Sequence, residues 1–89
     1  MVYIVSYDLK EPGQRYTELI SAITSCEKWA RLGQSAYLIV SNDSAVSLRD
    51  KFKKFLDSND KLYVGAVNPP AAWVGMSDSV SQWIKDELR

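Results

Sequence analysis

Four short runs rich in β-branched and aromatic residues are spaced so that only two of the three gaps between them can hold a helix, and this spacing constrains the fold more than any other feature. The runs cover residues 2–9, 27–32, 35–41 and 61–67. The first ends at Tyr7-Asp8-Leu9 before a polar stretch with Pro12 and Gly13, and the second and third flank Gly33-Gln34, a hairpin spacing. From Gln14 to about Ser25, Tyr16, Leu19, Ile20 and Ile23 recur at i, i+3, i+4 and i+7, which predicts an amphipathic helix. A second helix is predicted from Val46 to Leu56, with Leu48, Phe52, Phe55 and Leu56 on one stripe behind the cap candidates Asn42, Asp43 and Ser44. The fourth run stops at Asn68-Pro69-Pro70. The order is β-α-β-β-α-β, which predicts an α+β, ferredoxin-like sandwich: two helices on one face of a four-stranded antiparallel sheet.

Two further pieces follow this core of residues 1–68. Ala71 to Met76 reads as a fifth strand, and Asp78 to Leu88 as a helix carrying Val80, Trp83, Ile84 and Leu88 behind a Ser77 cap. Residues 1–89 thus read as a single domain whose C-terminal strand and helix, 69–89, are expected to be associated with a dimer. Strand alternation groups Tyr3, Val5 and Tyr7 with Tyr37, Ile39, Tyr63 and Val67, against a smaller set of Val2, Ile4, Ala36, Leu38, Val40, Leu62, Val64 and Ala66. The aliphatic set is expected beneath the helices and the tyrosine set on the open face. A tyrosine-rich open face is either a base-stacking platform or a covered interface. The third run lacks the basic-Gly-aromatic consensus of RNA-recognition domains, so cover by a second copy or by the C-terminal segment is expected. Tyr3, Tyr7, Tyr37, Tyr63 and Trp73 are the dimer-interface candidates.

Composition narrows the chemistry. The 89 residues include no histidine, which removes the usual general base, the His-paired nucleophiles and most zinc sites. The lone Cys26 allows no internal disulfide and suits a reducing compartment. Neither a secretory leader nor a membrane span is apparent, so a cytoplasmic protein with no membrane partner is expected. Eleven Lys and Arg against 11 Asp and Glu argue against coating nucleic acid by bulk charge, leaving only a local patch. The one basic cluster is Arg49, Lys51, Lys53, Lys54 and Lys61, which reads either as a solvated helix face or, with Lys10 and Arg15, as a set of phosphate contacts. A chain this short buries roughly 60–65% of its unfolded surface, so self-association would help it.

Asp8 is the leading site candidate. In an antiparallel sheet the end of the first strand lies beside the start of the third, near Ser35, and of the fourth, near Lys61, with Arg31 at the same edge. A carboxylate beside a hydroxyl and two cations suits a phosphodiester, with the carboxylate on a hard cation and the cations on phosphate. The plainer alternative is that Asp8 caps the following loop or pairs with Lys61.

The chain resembles the CRISPR-associated Cas-two family and the neighbouring SinR-like and virulence-associated-protein-D proteins. The resemblance is carried by Tyr7-Asp8-Leu9 at the end of the first strand, by Arg31 followed after three residues by Ser35, Ala36 and Tyr37, and by the fifth-strand candidate. It implies a homodimer with facing sheets, the fifth strand helping to bind the partner. It also implies a divalent metal, magnesium, held where Asp8 meets its symmetry mate, and metal-dependent cleavage of RNA or DNA or structural binding of duplex DNA. Asp8 would then be the catalytic and metal-binding residue, and Lys10, Arg15, Arg31, Ser35, Lys51, Lys54 and Lys61 the nucleic-acid contacts. Without histidine, slow turnover, activity favoured by alkaline pH, or no catalysis at all is expected. The rival from another class is a non-catalytic module that binds a protein partner or closes a dimer.

Overall fold

The computed structural model describes residues 1–10 and 15–88. The elements are β1 (Val2–Asp8), α1 (Tyr16–Thr24), β2 (Lys28–Gly33), β3 (Ala36–Val40), α2 (Ala45–Lys53), β4 (Lys61–Ala66) and α3 (Asp78–Glu87). The strands form one sheet in the order β2-β3-β1-β4 with every neighbouring pair antiparallel. Gly33-Gln34 lies in the β2–β3 hairpin, whose ladder is irregular between Arg31 and Gly33. Ser44 caps α2 by accepting from the Ser47 amide, and Ser77 caps α3 by accepting from the Val80 amide at 3.2 Å. The loop and turn expected across Pro12 and Gly13, and the helix start at Gln14, fall on residues 11–14, outside the described residues.

Register fixes which side chains share a face. Tyr3 lies opposite Ile39 and Val5 opposite both Tyr37 and Val64, while Tyr7 lies opposite Leu62. These residues meet Leu19 and Ile23 of α1 and Leu48 and Phe52 of α2 in the main core. The expected assignment of faces is therefore reversed for β1 and β3, whose tyrosine-rich face lies under the helices, and holds for β4. Leu62 and Val64 join it, and Tyr63 points the other way, opposite Ser6. The reason is that a tyrosine buries its ring while its hydroxyl reaches the rim of the core. Tyr3 Oη donates to the Asp43 carbonyl at 2.7 Å and Tyr7 Oη to the Gln34 carbonyl at 3.2 Å.

The second face carries its own cover. Val2 and Leu38 pack with Ile84 of α3, joined by Ile4, Leu32, Val40, Val67, Trp73, Val80, Trp83 and Leu88. The C-terminal helix thus folds onto its own sheet. Lys28 Nζ pins its end to β2 through Glu87 at 3.1 Å. The fifth strand expected over Ala71–Met76 does not form: Pro69 and Pro70 before it lack amide donors, and Gly75 sits at φ 84°. Trp73 Nε1 donates instead to Ser81 Oγ at 3.0 Å, tying this irregular segment to α3. Cover is incomplete: Asp8, Lys61 and Tyr63 remain exposed and Ser6 half-buried at the far end of this face. Among the described residues no helix is long and apolar enough to cross a membrane.

Candidate functional site

Asp8 is the last residue of β1, one of the two inner strands, and the antiparallel register sets it opposite Lys61, the first residue of β4. One step back, Ser6 lies opposite both Tyr63 and Ala36. Alternation turns Ser6 and Asp8 away from the main core, toward the end of the sheet that α3 leaves bare. Two shallow clefts meet at Asp8. One, of about 290 Å³, is lined by Tyr7, Leu9, Tyr16, Gln34 and Ser35 as well as Asp8, and the other, of about 250 Å³, by Ser6, Lys61, Leu62 and Tyr63 together with Tyr7 and Asp8. Among the described residues the Asp8 carboxylate has no ion pair within 4.0 Å and no hydrogen bond. Its anticipated pairing with Lys61 is thus one of strand register without a salt bridge.

The loop after β1 is held by a different carboxylate. Asp60 Oδ1 accepts from the Lys10 amide at 2.9 Å and Oδ2 from the Asp57 amide at 2.8 Å, and these two bonds hold its carboxyl below the ordinary range. The signal for Asp60 lay in the turn-forming run Asp57-Ser58-Asn59-Asp60, whose side chains bond nearby amides; its long-range partner was not legible there.

The other expected contacts divide between two sides of the molecule. Arg31 lies on the helix side, its guanidinium 5.8 Å from the Tyr37 ring centre, with Nε donating to the Gly33 carbonyl and Nη2 to the Gln34 carbonyl. It staples the hairpin, and shares the Gln34 carbonyl with Tyr7 Oη. Arg15 Nη1 donates to the Lys54 carbonyl at 2.9 Å, its guanidinium lies 5.4 Å from the Phe55 ring, and Nη2 is 3.6 Å from Glu18. Both arginines are thus committed to joining elements of the fold. Lys51 and Lys54 are exposed on and just after α2, in the helix layer, whereas Lys61 is on the opposite face beside Asp8. Lys10 and Ser35 are exposed close to Asp8, Ser35 accepting from the Tyr7 amide at 3.0 Å. The structure therefore gathers Asp8, Lys10, Ser35 and Lys61 at one end and leaves Arg15, Lys51 and Lys54 in another layer.

Three of the five interface candidates are corrected. Tyr3, Tyr7 and Tyr37 are 3–5% exposed beneath the chain's own helices and present no surface to a partner. Trp73 is half-buried against α3, and Tyr63 is 66% exposed. Trp29 is 45% exposed at the sheet edge, tilted against Tyr37.

No group of three or more His, Cys, Asp or Glu able to hold a metal ion occurs among the described residues. Asp8 alone offers too few ligands for magnesium, which commonly takes one or two carboxylates with water and substrate phosphate. Two copies apposed at this end would supply two carboxylates.

The chain is similar in fold to a hypothetical protein, TT1823, of Thermus thermophilus. The TM-score is 0.67, with 22% identity, over 84% of this chain and 90% of that one. At this identity the likeness shows the fold alone. No protein-family model and no curated protein matches the chain.

Proposed function

We propose that this is a ferredoxin-like, nucleic-acid-associated protein of the cytoplasm that works as a homodimer, related to the Cas-two and SinR-like proteins, with Asp8 at a metal-assisted phosphodiester site. The observation that carries this reading is the Asp8 carboxylate itself, exposed at the end of an inner strand and unpaired among the described residues, with Lys61 facing it in register. Apposition of two such ends would bring two carboxylates together, enough to share one magnesium ion. When bound, the ion would polarise a phosphoryl oxygen and offset its charge. The chain's own part is to hold the carboxylate through the β1 ladder, to present the Lys61 ammonium to a neighbouring phosphate, and to close the base of the site with Tyr7 and Leu62.

A second reading has its own observation. Between the 68–76 segment, α3 and the sheet lies an apolar cleft of about 470 Å³ lined by Ile4, Leu38, Ala72, Trp73, Met76 and Leu88 among others, a surface suited to a protein partner.

One experiment separates the two. Labelled single-stranded RNA and duplex DNA are incubated with wild type and Asp8→Ala, with magnesium or manganese and with chelator, both proteins first checked by size exclusion. Cutting that needs metal and falls at least about 100-fold in an intact Asp8→Ala dimer is expected, on the scale of losing a group that stabilises developing charge. Cutting that persists in Asp8→Ala, or none by either protein, would overturn the nuclease assignment; absence of nucleic-acid binding as well would favour the protein-binding module.

A further inference from the structure

Tyr63 is the most exposed aromatic ring of the described residues, at 66%, yet its position is closely defined. It stands on β4 between Leu62 and Val64, which turn into the main core, so its side chain lies on the opposite, uncovered part of the sheet. Two residues on, on the same face, is Gly65. A Cβ built at Gly65 would lie 2.6 Å from Tyr63 Cε1, 2.9 Å from its Oη and 3.1 Å from its Cζ. The ring is therefore laid down along the strand in the space that the missing side chain leaves. A glycine inside a strand is unfavourable relative to alanine, and here it permits a ring to lie against the backbone.

This ring belongs to the same cleft as Ser6, Asp8 and Lys61. Lys61, two residues before it on the same strand face, is exposed and has no ion-pair partner among the described residues. A flat exposed aromatic beside an unpaired ammonium matches one unpaired nucleotide, the base on the ring and the phosphate on the ammonium. A base within a duplex is stacked on its neighbours and cannot offer its face in this way. We infer that Tyr63, cradled by Gly65, is a stacking platform for an unpaired base of single-stranded nucleic acid, with Lys61 taking the adjoining phosphate. The inference rests on the nucleic-acid reading above and deepens it by naming the strand state of the ligand.

The test is fluorescence anisotropy of labelled single-stranded RNA, single-stranded DNA of the same sequence, and the corresponding duplex, all with chelator present so that cleavage does not intervene. Tyr63→Leu, a β-compatible change at an exposed position, is expected to weaken single-strand binding about 5- to 100-fold, the effect of losing one stacked base. Tyr63→Phe keeps the ring and the affinity, and duplex binding is the same in all variants. Gly65→Ala, whose methyl displaces the ring, is expected to reproduce the loss while the far-ultraviolet circular dichroism stays that of wild type. Single-strand binding unchanged in Tyr63→Leu, or unchanged in Gly65→Ala, would overturn the platform and leave the nucleic-acid reading standing. Conversion of a wild-type dimer to monomer by Tyr63→Leu in the absence of nucleic acid would overturn it too, by making the ring an interface residue. Failure of wild type to bind any of the three would instead remove the nucleic-acid reading on which the platform rests. The two single strands decide between RNA and DNA as the source of the base.

Discussion

Burial raises the Tyr7 phenol above the ordinary tyrosine value; the adjacent Tyr16 hydroxyl and Tyr37 add to the shift, and Arg31 opposes it. The folded chain keeps this proton where the unfolded chain releases it. The stability linked to Tyr7 is thus intact below its unfolded pKa of about 10 and is lost as pH rises through the higher folded value. Tyr7→Phe is expected to lower stability at neutral pH by about 1 kcal/mol, through the lost bond to Gln34, and to flatten the alkaline decline. Urea midpoints of both proteins from about pH 8 to pH 11 check this, since parallel curves would rule out Tyr7 as the titrating group. At this scale the sequence was legible where chemistry is local. The place of Asp8 at the end of the first strand was legible from the polar stretch that follows it, and the Ser44 and Ser77 caps because a hydroxyl before a helix bonds its first amides. The bonds of Asp60 and Arg15 were not legible because their partners, Lys10 and Lys54, are distant in sequence.

The elements of the core were legible because helical and strand periods differ, and all six occur in the expected order. What period alone could not tell was which face the helices cover. Alternation separates two faces but ranks them only when one is polar, and here both are apolar because both are covered, one by α1 and α2 and the other by α3. The fifth strand failed for a related reason: an apolar run becomes a strand only beside a partner, and Trp73 found Ser81 instead. Docking of α3 on its own sheet makes a definite prediction. Ile84→Ala is expected to cost about 2–5 kcal/mol and Ser77→Ala about 1 kcal/mol, by urea unfolding. Both losses should be the same when the proteins are diluted until monomeric; a loss confined to the associated state would show that α3 crosses to a second copy.

Over the whole molecule, equal numbers of acidic and basic residues mean that any grip on nucleic acid is local. With Lys61 and Lys10 as the exposed cations nearest Asp8, the slope of log affinity against log salt for a single strand should be about −1 to −2, at roughly −0.7 per phosphate. Anisotropy titrations across a salt series measure it, and a slope steeper than about −4 would require a basic footprint wider than this surface provides. The strand order carries one more consequence. Among the described residues both outer strands, β2 and β4, end the sheet without a neighbour, so each copy has two seams along which another could be stitched, and such a join need not close into a ring. Arg31 stands along one seam and Lys61 along the other, exposed charges of the same sign that make the edges repel end to end. Charge repulsion between edges therefore acts here as a brake on polymerisation that dissolved salt would release.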